Sequence, residues 1–109
     1  MTTTVDRAEM QALMDEGAVT VVDALPAAPF AGRHLPGAVN LTIEGADERA
    51  AAVLPDPGAG VVVYSTDANC DRAPALAERL ERLGYGDVRL YDAGIADWVA
   101  AGLPVETGG

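Results

Sequence analysis

Lysine is absent from these 109 residues: all seven cations are arginine, set against 17 carboxylates for a formal net charge of −10. So acidic a surface repels phosphate backbones and anionic headgroups, which argues against nucleic-acid and membrane partners and for a solubilising acidic coat. Thiols and imidazoles are nearly missing as well. The single cysteine, Cys70, has no internal disulfide partner, and with one histidine, His34, there is no cluster of soft ligands; neither a metal nor a cofactor is expected. No apolar run approaches the ~20 residues of a membrane span. The N-terminus MTTTVDRAEM lacks the basic segment and apolar core of an export signal, so the expected location is the cytoplasm. The length suits one domain, residues 1–109, long enough to bury roughly two thirds of its unfolded surface without staples.

What is present is organised around residues 60–83, GVVVYSTDANCDRAPALAERLERL. Val61, Val62, Val63 and Tyr64 are β-branched or aromatic without a charge among them, the mark of a strand covered on both faces. A polar loop follows, and from Arg72 the residues Leu76, Leu80 and Leu83 recur at helical spacing opposite Glu78, Arg79, Glu81 and Arg82. Gly84 stands where a left-handed helix end is wanted. In open α/β sheets ligands bind beyond the carboxyl ends of the strands, where loop amides and a helix N-terminus hold anions; residues 65–72 occupy that place.

Elsewhere, Asp6 and Glu9 form the pattern of a capping box, with Val5 and Met10 as its apolar staple and Gly17 as the end of that helix. Val19–Asp23 reads as a buried strand. Pro26 and Pro29 then leave room for no more than a helical turn near Phe30. Residues 38–41 suit a short strand, 45–54 a helix, 87–91 a strand and 94–101 a last helix with Ile95, Trp98 and Val99 inward; Thr107, Gly108 and Gly109 read as a frayed end. Strands alternating with helices at this spacing give a three-layer α/β/α domain with a mainly parallel sheet of about five strands.

Four segments, in order and in register, resemble the rhodanese-like domains. They are Val21-Val22-Asp23; the turn Phe30 to Leu41 around His34-Leu35-Pro36-Gly37-Ala38; the strand, loop and helix Val61 to Leu83; and Val88 to Pro104 with Tyr91, Gly94, Trp98 and Gly102-Leu103-Pro104. The resemblance implies sulfurtransferase ancestry and places Ser65 where the family carries the cysteine that takes sulfur as a persulfide. It also implies an arginine after the first Asp, where this chain has Leu25, and a structural His34 in its turn rather than a Ser65–His34 catalytic pair.

A serine gains little from a field that ionises thiols, and it cannot hold a sulfane sulfur. The expectation is therefore weak or absent thiosulfate sulfurtransferase activity and a role as a binding or regulatory module for an unknown protein partner. One alternative is an active sulfurtransferase using Cys70, five residues further on and just before the helix, with a small sulfur-containing anion or a protein sulfur carrier as partner. Another is that Ser65 is an engineered replacement of a natural cysteine. The candidate site comprises Ser65 and Cys70, with Thr66, Asp67, Ala68, Asn69, Asp71 and Arg72 as the surrounding binding loop. Asp67 and Asp71 are expected to offset the helix-end field and leave Cys70 an ordinary thiol, acting mainly as turn and helix-capping residues.

Overall fold

The computed structural model describes residues 2–108. Five strands, β1 (Thr3–Val5), β2 (Val19–Asp23), β3 (Val39–Asn40), β4 (Gly60–Tyr64) and β5 (Val88–Tyr91), form one parallel sheet in the order β1-β5-β4-β2-β3. The helices are α1 (Arg7–Glu16), α2 (Ala27–Gly32), α3 (Ala46–Val53), α4 (Arg72–Arg82) and α5 (Gly94–Ala100), with a short 3-10 turn at Ile43–Gly45 before α3.

The strand pleat sorts the apolar residues of β4 between two cores. Val61 and Val63 face Ala50, Leu54, Leu76 and Leu80 of the α3/α4 layer. Val62 and Tyr64 face Met10, Phe30, Ile95 and Trp98 of the α1/α2/α5 layer. With both faces covered, β4 carries no charged residue, and the Tyr64 hydroxyl at its end is hydrogen-bonded to Asp23 and Leu35. The capping box of α1 is formed as its sequence implies: Glu9 N donates to Asp6 Oδ1 at 2.8 Å and Asp6 N donates to Glu9 Oε1 at 3.1 Å.

Some expectations are corrected. Thr3–Val5 is an additional edge strand, held by pairing with β5. Around Phe30 the chain makes a six-residue helix rather than a single turn. Leu83 keeps the helical spacing of Leu76 and Leu80 but is 40% exposed, since it caps α4 after the helix has run past the core. The C-terminal segment is tied down through Gly108: His34 and Glu106 exchange backbone hydrogen bonds at 2.8 Å in an antiparallel bridge, and Gly108 N donates to Ala31 O. Gly109 lies outside the described residues. Among the described residues no helix is long and apolar enough to cross a membrane.

Candidate functional site

Residues 65–71 run from the carboxyl end of the central strand to the first turn of α4. Ser65 is 2% exposed, and its carbonyl accepts the Ile95 amide at 3.0 Å; the Thr66 carbonyl accepts the Ala96 amide at 2.9 Å. The two bonds clamp the loop onto the start of α5 and satisfy amides that a helix N-terminus leaves open. Gly94 permits this approach, with φ of +72° and backbone oxygens of Ser65 and Thr66 where a side chain would begin. The role of Gly94 and Ile95 in holding the loop was not read from the sequence, although Gly94 stands out within the C-terminal segment.

Cys70 is half-buried at the mouth of this loop. Burial by itself pushes its thiol up. Hydrogen bonding from the Ser65 hydroxyl, the Arg72 amide, and the amide and hydroxyl of Thr66 outweighs burial, and the thiol sits below its ordinary value. The side chain of Ser65 thus meets a sulfur that is closer to solvent than Ser65 itself.

The remaining loop residues divide by what their polar groups touch. Asp67 turns inward along the loop: its Oδ1 accepts the Asn69 amide at 3.0 Å and its carbonyl accepts the Cys70 amide at 3.1 Å. Those two amides are therefore committed to Asp67, and the groups that lower the Cys70 thiol are Ser65, Arg72 and Thr66 instead. Asp71 occupies the N-cap position of α4 but makes no side-chain cap, and like Ala68 and Asn69 it is exposed. The Cys70 thiol is lowered on balance, with Ser65, Arg72 and Thr66 as the causes, so the expected offset by the two carboxylates does not leave it an ordinary thiol.

Arg72 joins the site by its amide alone. Its Nε donates to the Ala24 carbonyl at 3.0 Å, and its two terminal nitrogens grip Glu44 at 2.7 and 3.2 Å. Glu44, 28 positions away, is held below the usual carboxylate range by that guanidinium, and nothing in the local sequence marks the pair. The expected loop cation is thereby already neutralised.

His34 is structural. Its ring stacks on Phe30 with centroids 4.1 Å apart, Nδ1 lies 2.9 Å from the Phe30 carbonyl oxygen, and Nε2 lies 3.9 Å from Glu106 Oε1. Behind the loop, fully buried Asp23 accepts the Leu25 amide at 2.7 Å and the Tyr64 hydroxyl at 2.7 Å, while Tyr64 Oη accepts the Leu35 amide at 3.0 Å. Burial raises the Asp23 carboxyl despite these bonds. This network joins β2, β4 and the His34 turn beneath the site. Among the described residues no group of three or more His, Cys, Asp or Glu side chains is placed to hold a metal.

Comparison with known proteins places this geometry. Residues 6–101 match the family model for the rhodanese-like domain. The chain is 36% identical over 104 residues to an HTH-type transcriptional regulator of Mycobacterium tuberculosis, covering 95% of this chain and only 45% of the regulator's length. Among solved structures, a Bacillus halodurans protein superposes with a TM-score of 0.88 at 22% identity, over 97% of this chain and 77% of that one. A thiosulfate sulfurtransferase from Pseudomonas aeruginosa superposes with a TM-score of 0.81 at 24% identity, over 99% of this chain and 21% of that one. At these identities the two structures speak to the fold.

Proposed function

This chain belongs to the rhodanese-like domain family, and we propose that it handles sulfane sulfur through Cys70 rather than through the residue at the end of its central strand. The observation that carries the reading is the place of Cys70, a half-buried free thiol in the loop between the central strand and the start of α4, where Ser65, Thr66 and the Arg72 amide hold it below its ordinary value. A serine at position 65 cannot hold sulfur, but its hydroxyl can donate to a thiolate five residues on.

In the proposed reaction the Cys70 thiolate attacks the sulfane sulfur of a donor such as thiosulfate. A new S–S bond forms on Cys70, the sulfane–sulfonate bond breaks, and sulfite leaves with the electron pair. The outer sulfur then passes to a nucleophilic acceptor, and the thiolate is regenerated. The pair of partners is thus a small sulfur-containing anion and a thiol or protein sulfur carrier. No cofactor enters. A reactive free thiol suits a reducing compartment, and the cytoplasm is the proposed location.

The test is a mass measurement. The protein is incubated with thiosulfate, digested without reductant, and searched for a one-sulfur adduct. An adduct on Cys70 that disappears in Cys70→Ala supports the reading; an unmodified Cys70 that is nevertheless accessible to alkylation defeats it.

A second reading is favoured by the similarity to the mycobacterial transcriptional regulator: a non-catalytic regulatory module whose loop is read by a protein partner. It predicts no adduct on Cys70 and no transfer of sulfur.

A further inference from the structure

A separate cavity lies at the opposite end of the sheet from the Cys70 loop. β2 and β4 run parallel, with Val19 level with Gly60 and Asp23 with Tyr64, so the start of β2 is at the amino end of the sheet and Ser65 lies beyond its carboxyl end. Over that start, between α1 and the segment that follows α5, is a cavity of about 510 Å³. Gln11, Met14, Asp15, Val21, Trp98 and Leu103 are among the residues that line it, and none comes from the loop 65–72. Hydrogen bonds fix two of its walls. Trp98 Nε1 donates to the Pro104 carbonyl at 2.7 Å and the Leu103 amide to the Trp98 carbonyl at 3.3 Å, which folds the chain after α5 back along one side. On another side the Gly37 amide donates to Glu106 Oε1 at 2.8 Å and pins the turn at Pro36. The site is preformed, and its volume falls within the roughly 300–1,000 Å³ typical of small-molecule sites.

The lining sets one carboxylate against apolar walls. Met14, Val21 and Leu103 offer hydrophobic surface, and Asp15 is the one charged residue of the lining. Asp15 has no ion-pair partner among the described residues, whereas Arg7, Arg72, Arg79, Arg82 and Arg89 are each engaged by another carboxylate. It does not serve its own helix either: α1 ends at Glu16, and a carboxylate in the last turn faces the negative end of the helix dipole. Gln11, one turn earlier on the same face of α1, adds an amide oxygen as a second acceptor. An ammonium group carries three donors and no acceptor, so it matches this pair. The formal charge of −10 adds a field that draws cations in and turns anions away.

We infer that this cavity is a binding site for organic ammonium ions of the arylalkylamine kind, with the cationic head between Asp15 and Gln11 and the ring against Met14, Val21 and Leu103, beside Trp98. The hydrophobic body supplies the larger part of the affinity and the carboxylate selects the sign of the head. Binding here involves no sulfur chemistry and stands apart from the Cys70 reading.

Trp98 is the only tryptophan of the chain, so its fluorescence reads the cavity directly. Titration of the protein with 2-phenylethylammonium is expected to change that emission saturably and, by NMR, to shift the Val21 and Gly37 amides. Asp15→Asn is expected to weaken the affinity roughly two- to fivefold. Glu16→Gln, which removes an exposed carboxylate next along α1 but outside the lining, should leave it unchanged. 3-Phenylpropionate, with the same body and an anionic head, and ethylammonium, with the head and little body, should both bind more weakly. The absence of a saturable change, equal affinity for 2-phenylethylammonium and 3-phenylpropionate, or equal losses in Asp15→Asn and Glu16→Gln overturns the inference.

Discussion

The backbone of Gly94 lies so close to Ser65 that a β-carbon there would stand 2.6 Å from the Ser65 carbonyl oxygen, and equally near the Thr66 carbonyl. Both obstacles are backbone, so nothing small can swing aside. The adjacent Ile95 and Ala96 amides depend on the same two carbonyls.

Gly94→Ala is therefore expected to destabilise the fold by about 2–4 kcal/mol, combining the left-handed backbone penalty with displacement of the loop. Urea unfolding measures this. Gly37→Ala is the control: it has a similar φ of +74° but open space where the β-carbon would go, so it should cost only the backbone part. Equal losses at the two positions would mean that the Ser65 contact contributes nothing.

Cys70 should alkylate with a half-maximal rate below the roughly 8.5 of a free cysteine, because donor groups outweigh burial at its sulfur. The profile is read from iodoacetamide labelling against pH. Ser65→Ala and Thr66→Val should each move the midpoint upward by removing a hydroxyl donor. A midpoint at or above the free-cysteine value in the parent protein would contradict the geometry.

The strands and the capping box were legible because each is written in local residues: the valines of β2 and β4, and Asp6 with Glu9 in α1. The pieces that escaped depend on distant partners. Thr3–Val5 is too short to announce a strand and exists through β5, and the tether at Glu106 needs His34, which lies 72 residues earlier. At the site, sequence spacing put Arg72, Asp67 and Asp71 beside one thiol as if all their charges acted on it. The fold sends the Arg72 guanidinium to Ala24 and Glu44, turns Asp67 to the Asn69 amide and leaves Asp71 in solvent. Spacing brings groups near one another; the direction of each side chain is set by contacts that spacing does not contain.

Buried Asp23 gives a pH dependence of uncommon sign. Burial raises its folded carboxyl above the ordinary aspartate value of 3.8, so the native state binds the proton more tightly than the unfolded chain. The stability from this group is complete below the unfolded value and is lost as pH rises through the folded one. Asp23→Asn, which removes the titration, should accordingly cost less at pH 7 than at pH 4 when each variant is compared with the parent by urea unfolding. A cost that grows with pH would reverse the assignment. Tyr64→Phe should cost about 2–4 kcal/mol at pH 7, because it leaves Asp23 Oδ2 and the Leu35 amide buried without their shared partner, and less at pH 4, since the hydroxyl it removes favours the ionised carboxylate.

The claim that sulfur rests on Cys70 is tested most directly by thiocyanate release from sulfane donor and cyanide in three proteins: the parent, Ser65→Ala and Cys70→Ala. The account predicts measurable turnover in the parent, a reduced rate in Ser65→Ala, where a donor to the thiolate is lost, and none above a blank in Cys70→Ala. Turnover that survives Cys70→Ala, or a folded parent that releases no thiocyanate with thiosulfate, would contradict it.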